Sequence, residues 1–240
     1  MMHLLKAYYR QQMFFPSWSG IFINPFYFAR AGLRDAMMEF GPRLLGRLLD
    51  VGCGSKPYRS LLNVNIYIGL DVDNETTRKR GVADQLYDGN TFPFPDSSFD
   101  SVLCNQVLEH VFNPDPFLAE IERVLKPGGT CLLTVPFVWD EHEQPYDYAR
   151  YSSFGLKYLL EKQGFQIIEH KKLAADASIL FQMTNAYIYK VSQILPLPIR
   201  LALTVTVMAS VNILGIFARK VLPNNPDLFL DHVVLARKSS

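Results

Sequence analysis

From residue 47 to residue 135, short apolar runs alternate with segments whose apolar residues recur at spacings of three and four, the pattern of parallel strands joined by crossover helices. The runs predict strands at 47–51, 66–71, 83–87, 99–104 and 130–135. Between the last two, Phe117, Leu118, Ile121, Val124 and Leu125 mark one face of a helix over 115–125, and the turn Lys126-Pro127-Gly128-Gly129 is expected to stop it. A short helix at 156–163 ends at Gly164, and 165–172 and 228–237 read as strands six and seven. The class is α/β.

Two regions break this rhythm. The first forty-odd residues are crowded with aromatics, among them Tyr8, Phe14, Trp18 and Phe26, more than a solvated tail carries. They are expected to pack on the domain as a cap over its ligand. The stretch from about 174 to 227 is an apolar insertion, two helices broken at Pro196-Leu197-Pro198. The organisation expected is therefore an N-terminal aromatic cap at 1–45, a core at 46–173, the helical insertion at 174–227, and a final core strand and tail at 228–240.

Composition narrows the partners. The 240 residues carry 24 lysines and arginines against 23 acids, with no basic block, which argues against nucleic acid. Cys53, Cys104 and Cys131 lack CxxC spacing and fall in or beside strand-like runs, so they read as buried thiols of a reducing compartment. The N-terminus shows neither an uninterrupted apolar stretch nor a small-residue cleavage site, and no signal peptide is expected.

The chemistry begins at Leu48-Leu49-Asp50-Val51-Gly52-Cys53-Gly54, where an apolar strand runs into an acid and two glycines. In an open parallel sheet, ligands sit beyond the carboxyl ends of the strands, where backbone N–H groups face them. A dinucleotide site calls for a third glycine near the pyrophosphate, but that position is Pro57, which argues against NAD. Twenty-one residues after Asp50, Asp71 closes the second strand, placed to accept hydrogen bonds from both hydroxyls of a ribose. Asp50 either touches the ligand or orients the turn.

These residues resemble the class I S-adenosylmethionine-dependent methyltransferases. The first motif is matched by Leu48, Leu49, Asp50, Gly52 and Gly54, and the segment Asp88-Gly89 through Phe92-Pro93-Phe94-Pro95-Asp96 to Phe99-Asp100 resembles a further family motif, with Phe92 replacing the usual leucine. Asn105-Gln106-Val107-Leu108-Glu109-His110-Val111 is similar to the stretch after strand four, and Leu125-Lys126-Pro127-Gly128-Gly129 to the turn into strand five. The resemblance covers about residues 47–172. It implies a Rossmann-like seven-stranded mixed sheet with helices on both faces, with strand seven antiparallel between strands five and six. It also implies S-adenosylmethionine as cofactor, held by Asp50, Gly52, Gly54, Asp71, Asp88, Gly89 and Asn105, with Asp88 accepting from the adenine amino group.

Methyl transfer from a sulfonium mainly needs a nucleophile held in line and water excluded, and a hydroxyl acceptor gains from a nearby base. The loop after strand five, His142-Glu143-Gln144-Pro145-Tyr146-Asp147-Tyr148-Ala149-Arg150, supplies candidates. His142 ranks first as base, followed by Glu143 and His110; a loop histidine also commonly bonds a backbone carbonyl. Related methyltransferases carry a similar His-x-x-Pro-x-Asp-Tyr-x-Arg pattern, and Tyr146, Tyr148 and Arg150 are taken as substrate-binding, with Asp147 and Arg150 as an ion pair shaping the loop. Asp140, Glu141, His142 and Glu143 are adjacent and point in different directions, so no metal is expected.

Leu201–Ala218 has eighteen residues without a charge, close to a membrane span. A single crossing conflicts with the topology the resemblance implies, because strands six and seven share a sheet. The insertion is expected to form a lid, a homodimer surface or a peripheral membrane contact of a cytoplasmic protein. The expected function is O-methylation of a small-molecule, sugar or lipid-linked acceptor, and the wider resemblance is to bacterial enzymes of surface-polysaccharide biosynthesis. A nicotinamide oxidoreductase and a non-catalytic adenosylmethionine-binding protein are the alternatives.

Overall fold

A computed structural model describes residues 2–239. Along the chain lie α1 (Met2–Phe14), α2 (Gly20–Ile23), α3 (Tyr27–Phe40), β1 (Arg47–Val51), β2 (Ile66–Val72), α4 (Glu75–Arg80), β3 (Gln85–Tyr87) and β4 (Phe99–Asn105). They are followed by α5 (Pro114–Val124), β5 (Leu125–Pro136), α6 (Ser153–Lys162), β6 (Phe165–Leu173), α7 (Ser178–Val191), α8 (Leu197–Leu203), α9 (Ala209–Val221) and β7 (Asp231–Lys238). Two compact units result. One gathers the N-terminal helices as far as Asp35, the stretch Val138–Asp140 and Lys172–Asp231; the other holds Ala36–Phe137, Glu141–Lys171 and the rest of the last strand.

The sheet is seven-stranded and mixed, in the order β3-β2-β1-β4-β5-β7-β6. β1 pairs in parallel with β2 and β4, placing Val51 beside Leu70 and Cys104, and the strand order reverses at the β1/β4 boundary. Leu49, Val51, Val102, Cys104, Leu133 and Val135 are buried, as expected of strands covered on both faces. α5 begins with Pro114 at its first turn and buries Phe117, Leu118, Ile121 and Val124, the three-and-four spacing read from the sequence. Phe92 is buried and packs edge-on to Tyr87 and Phe117, with ring centroids 5.2 and 5.9 Å away, so the larger side chain is absorbed by an aromatic cluster.

The boundaries differ from expectation at strand five. α5 stops at Val124, and β5 starts at Leu125, which pairs with Phe99 across a register irregularity between Phe99 and Ser101. Pro127 and the glycines lie within the strand, at the bulge where a ladder tolerates them. The last strand begins at Asp231 rather than 228, because Leu228 and Leu230 pack into the core of the helical unit. The unanticipated α4 is capped by Asn74, whose side chain accepts from Thr77 N at 2.8 Å.

The helical unit joins three stretches far apart in sequence. Phe28, Ala29, Ile179 and Leu230 form its core, with Trp139, Phe181 and Ile216 packed against them. Buried amides tie the helices together: Gln182 Oε1 accepts from the N–H groups of Phe28 and Ala29 at 3.0 and 3.2 Å. Asn185 Nδ2 donates to Asn212 Oδ1 at 2.9 Å, and Asn212 Nδ2 donates to Ile21 O and Asn24 O at 2.8 and 3.1 Å. Among the described residues, Asn185 Oδ1 is the one buried oxygen of these three amides without a hydrogen bond; the rest of the network is paired, which turns a cost into specificity of packing.

Candidate active site

The site residues lie in the sheet unit, at the carboxyl ends of β1, β2 and β4 and on the loop after β5. Gly52 has φ +67°, and a Cβ there would stand 2.4 Å from Val107 Cγ2, so both backbone conformation and space demand glycine. Gly54, at φ +52°, opens instead onto free space, with Arg80 as its nearest side chain at 3.8 Å. The N–H groups of Gly52 and Cys53 donate to Leu70 O at 2.9 and 3.1 Å, and Gly54 N donates to Asp71 Oδ2 at 3.2 Å. The turn is thereby fixed to the tip of β2, beside a carboxylate.

Asp71 is largely buried; Val72 N also donates to it at 2.9 Å, and Arg80 approaches at 3.4 Å. Burial raises its pKa, with the nearby Glu143 carboxylate adding to the rise, so the loop after β5 reaches the electrostatic neighbourhood of the β2 tip. Asp50 is also buried and accepts from the Tyr67 hydroxyl. Burial pushes its pKa up to about 7 against the opposing pull of that bond and of Lys56. Lys56 is not solvated: it pairs with Asp84 at 2.6 Å and crosses Gly69, where a Cβ would meet its Cε at 2.4 Å. Asp88 is exposed and caps its own turn, accepting from the N–H groups of Asn90 and Thr91 at 2.9 and 3.1 Å, which hold its pKa down; Gly89 takes φ +87°. Asn105 ends β4, with its Oδ1 accepting from Thr134 Oγ1 at 2.8 Å. Gln106 follows in the left-handed region at φ +56°, stabilised by Thr134 O at 3.0 Å.

Beyond Asn105, a short turn places Glu109 and His110 against the loop after β5. Glu109 O accepts from Tyr148 N at 2.8 Å and Ala149 N at 3.3 Å, and His110 Nδ1 meets Tyr146 O at 2.7 Å. A carbonyl only accepts, so the His110 proton is on Nδ1 and Nε2 faces the buried Glu109 carboxylate at 3.8 Å. The rings of His110 and His142 meet edge to face, 4.8 Å apart. Asp147, with a nearly buried side chain, accepts both guanidinium nitrogens of Arg150 at 2.6 and 2.8 Å and the His142 N–H at 3.0 Å, and stands 3.2 Å from His142 Nδ1. Arg150 draws the Asp147 pKa down to about 2.

His110, His142 and Arg150 are thus brought into one cluster, whereas Glu143, Tyr146 and Tyr148 are exposed on its loop. Tyr148 stacks edge-on against Phe112 at 5.3 Å. Glu109, Arg80 and Tyr67 are the residues the sequence reading missed. Among the described residues, Glu109, His110 and His142 also offer three ligand atoms within 4.8 Å of one another, which a divalent ion could bridge. For adenosylmethionine the fit is favourable: an open glycine backbone beside a strand-end carboxylate matches its amino-acid and ribose parts.

Comparison with known proteins agrees with this geometry. Residues 49–133 match a family model described as a methyltransferase domain. A probable S-adenosylmethionine-dependent methyltransferase of Mycolicibacterium smegmatis is 34% identical over 140 residues, covering 52% of this chain and 54% of that protein. The O-methyltransferase rstn1 of Aspergillus nomiae is 30% identical over 161 residues, 55% of this chain and 71% of that protein. The crystal structure of an S-adenosylmethionine-dependent methyltransferase from Mesorhizobium loti shares the fold, with TM-score 0.54 and 15% identity, over 88% of this chain and all of that one. Several curated relatives are matched over only about half their length or less. With the motif residues assembled at the strand ends and a relative matched over most of its length, the chain belongs to the class I S-adenosylmethionine-dependent methyltransferase family.

Proposed function

We propose that this chain methylates a hydroxyl group of a small acceptor, of the sugar or lipid-linked class, using His142 as general base. The observation that carries this reading is the Asp147–His142–His110 cluster at the strand ends, with His142 Nδ1 3.2 Å from Asp147 and its ring 4.8 Å from that of His110. Adenosylmethionine, when bound, supplies an electrophilic methyl group with its own leaving group. Gly52 and Gly54 would leave room for its methionine part, Asp71 would accept from the ribose hydroxyls in place of the long Arg80 contact, and Asp88 and Asn105 would border the adenine. Asp50, occupied by Tyr67, would orient the turn.

A proton on His142 Nδ1, shared with Asp147 at 3.2 Å, would leave Nε2 as the acceptor for a hydroxyl proton; Arg150, paired with Asp147 through two hydrogen bonds, fixes that carboxylate and also lies 3.5 Å from the same Nδ1, at the long limit of a contact that would favour the other tautomer. Tyr146 and Tyr148, exposed beside the cluster, would contact the acceptor. The Aspergillus relative's name as an O-methyltransferase supports oxygen as the acceptor atom.

The test pairs two substitutions. Asp71→Ala is expected to weaken adenosylmethionine binding about tenfold or more by calorimetry. His142→Gln should keep that affinity while lowering methyl transfer to hydroxylated glycan or lipid extracts about a hundredfold. Transfer unaffected by the glutamine would remove His142 from the mechanism, and activity lost to a chelator and restored by a divalent ion would reassign the cluster to metal. Tight NADH binding with weak adenosylmethionine binding would overturn the reading altogether.

A further inference from the structure

The helical unit leaves an unusual amount of apolar surface uncovered. Leu197–Val221 forms one continuous 25-residue helix, α8 running into α9 through the π-helical stretch Thr204–Met208, with mean hydropathy 2.1 in its most apolar window, of which only 22% is buried. Its buried positions, Met208, Ala209, Asn212, Gly215 and Ala218, line one face. On the other, Leu201, Val205, Ile213, Leu214, Phe217 and Val221 are 48–67% exposed. The turn before α8 adds Ile194, 90% exposed, and α1 adds Leu4 and Leu5. Soluble monomers rarely leave a contiguous apolar patch of this kind open to water.

The charges around that surface identify what covers it. Residues 1–34 and 177–226 contain no aspartate or glutamate, yet they carry Lys6, Arg10, Arg30, Arg34, Lys190, Arg200, Arg219 and Lys220. The whole unit has nine cations against five acids, a net +4, while the rest of the chain has fifteen against eighteen, a net −3. A groove of about 560 Å³ between Trp18, Tyr27 and Ile216 is bordered by Arg34, Arg219 and Lys220. Arg34, Lys190 and Arg219 also pair with Asp35, Asp140 and Asp176, yet the unit keeps a net positive charge, and exposed apolar side chains in a cationic unit, with Trp18 and Tyr187 both well exposed, match the layering of an anionic bilayer surface: acyl chains below, phosphates above. A second copy fits poorly, because a two-fold contact would set cation against cation.

We propose that this unit docks on an anionic lipid surface, the exposed face of α8–α9 and the turn before it entering the acyl boundary and the flanking cations meeting the phosphates. The unit lies on the membrane and does not cross it. Leu230 N donates to Leu173 O at 2.9 Å, so the insertion leaves and returns side by side, and Asn212 is held inside by buried amide bonds. Docking of this kind would bring the chain to the surface that carries lipid-linked molecules and stands independently of which atom is methylated.

Flotation of the full chain with vesicles of phosphatidylcholine, alone or with one-third phosphatidylglycerol, tests this. The wild type is expected to float with the anionic vesicles and far less with the neutral ones. Leu214→Ser with Phe217→Ser, both at exposed positions, should cut the bound fraction about tenfold. Lys6→Glu with Arg10→Glu and Lys220→Glu should remove the preference for anionic lipid, and Phe154→Ser, an 86% exposed position in the sheet unit, should change nothing. Adenosylmethionine affinity retained in every variant separates this test from that of the catalytic reading. Three results would each overturn the proposal: a wild type that floats with neither vesicle, variants that float like the wild type, or sedimentation showing a dimer that the serine substitutions dissolve.

Discussion

The end of β1 and the loop after β5 each hold an aspartate, and the two are driven in opposite directions. Asp50 faces a phenol and a lysine that is already paired to Asp84, and burial pushes its pKa up to about 7. Asp147 as a residue is only half-buried on its loop, so it is desolvated less, and it accepts a two-pronged guanidinium, which pulls its pKa down to about 2. Burial alone favours the neutral acid; a dedicated cation with matched geometry reverses that. The first carboxylate is built to shape a backbone, the second to stay charged beside an imidazole.

The largest effect should come from the turn itself. Gly52→Ala puts a Cβ 2.4 Å from Val107 Cγ2 on a residue at φ +67°, so the backbone must move rather than a flexible side chain. Adenosylmethionine affinity is expected to fall at least about a hundredfold, roughly 3 kcal/mol. A calorimetric Kd within a factor of three of wild type would mean that the turn does not hold the cofactor. Asp50→Asn should follow, and its effect depends on pH. The unfolded chain ionises Asp50 near pH 4 and the folded chain near 7, so folding takes up a proton in that window and wild-type stability falls as pH rises through it. Asparagine still accepts from Tyr67 but cannot ionise. The variant's Tm should therefore gain on wild type by several degrees between pH 4 and pH 7, and a constant difference would show that the raised pKa is not a property of the fold.

Much of the sheet unit was legible because its signals are local. Strands β1, β2 and β4 are short apolar runs with an acid, a glycine or an amide where each ends, so the pattern alone puts Gly52, Gly54, Asp71 and Asn105 on a common edge. Their partners were not legible, because each contact spans distant residues. Tyr67 reaches Asp50 only because β1 and β2 pair in register, and Arg80 reaches Asp71 from a six-residue helix with no apolar face to announce it. Glu109 looked like one more polar residue in a motif; its importance comes from complete burial beside His110. The cap and the insertion, read as separate features, share one core through Phe28, Ile179 and the Gln182 and Asn212 amides, a pairing across about 150 residues that periodicity does not encode.

The smallest effect belongs to the ion pair. Removing the Asp147 charge by Asp147→Asn leaves Arg150 without its carboxylate and the His142 N–H with a neutral acceptor. Because Arg150 depresses the folded-state pKa from 3.8 to about 2, the pair contributes roughly 2 kcal/mol above the unfolded-state pKa, and that contribution is lost as pH falls from about 4 through 2. Urea unfolding should place the variant about that far below wild type at neutral pH, with the gap closing in acid, the opposite slope to the one expected for Asp50. A gap that does not close would mean that shape rather than charge makes the difference. Catalysis would then separate the two roles: an Asp147→Glu variant that recovers stability but not turnover would show that the carboxylate's placement against His142 matters beyond its pairing with Arg150.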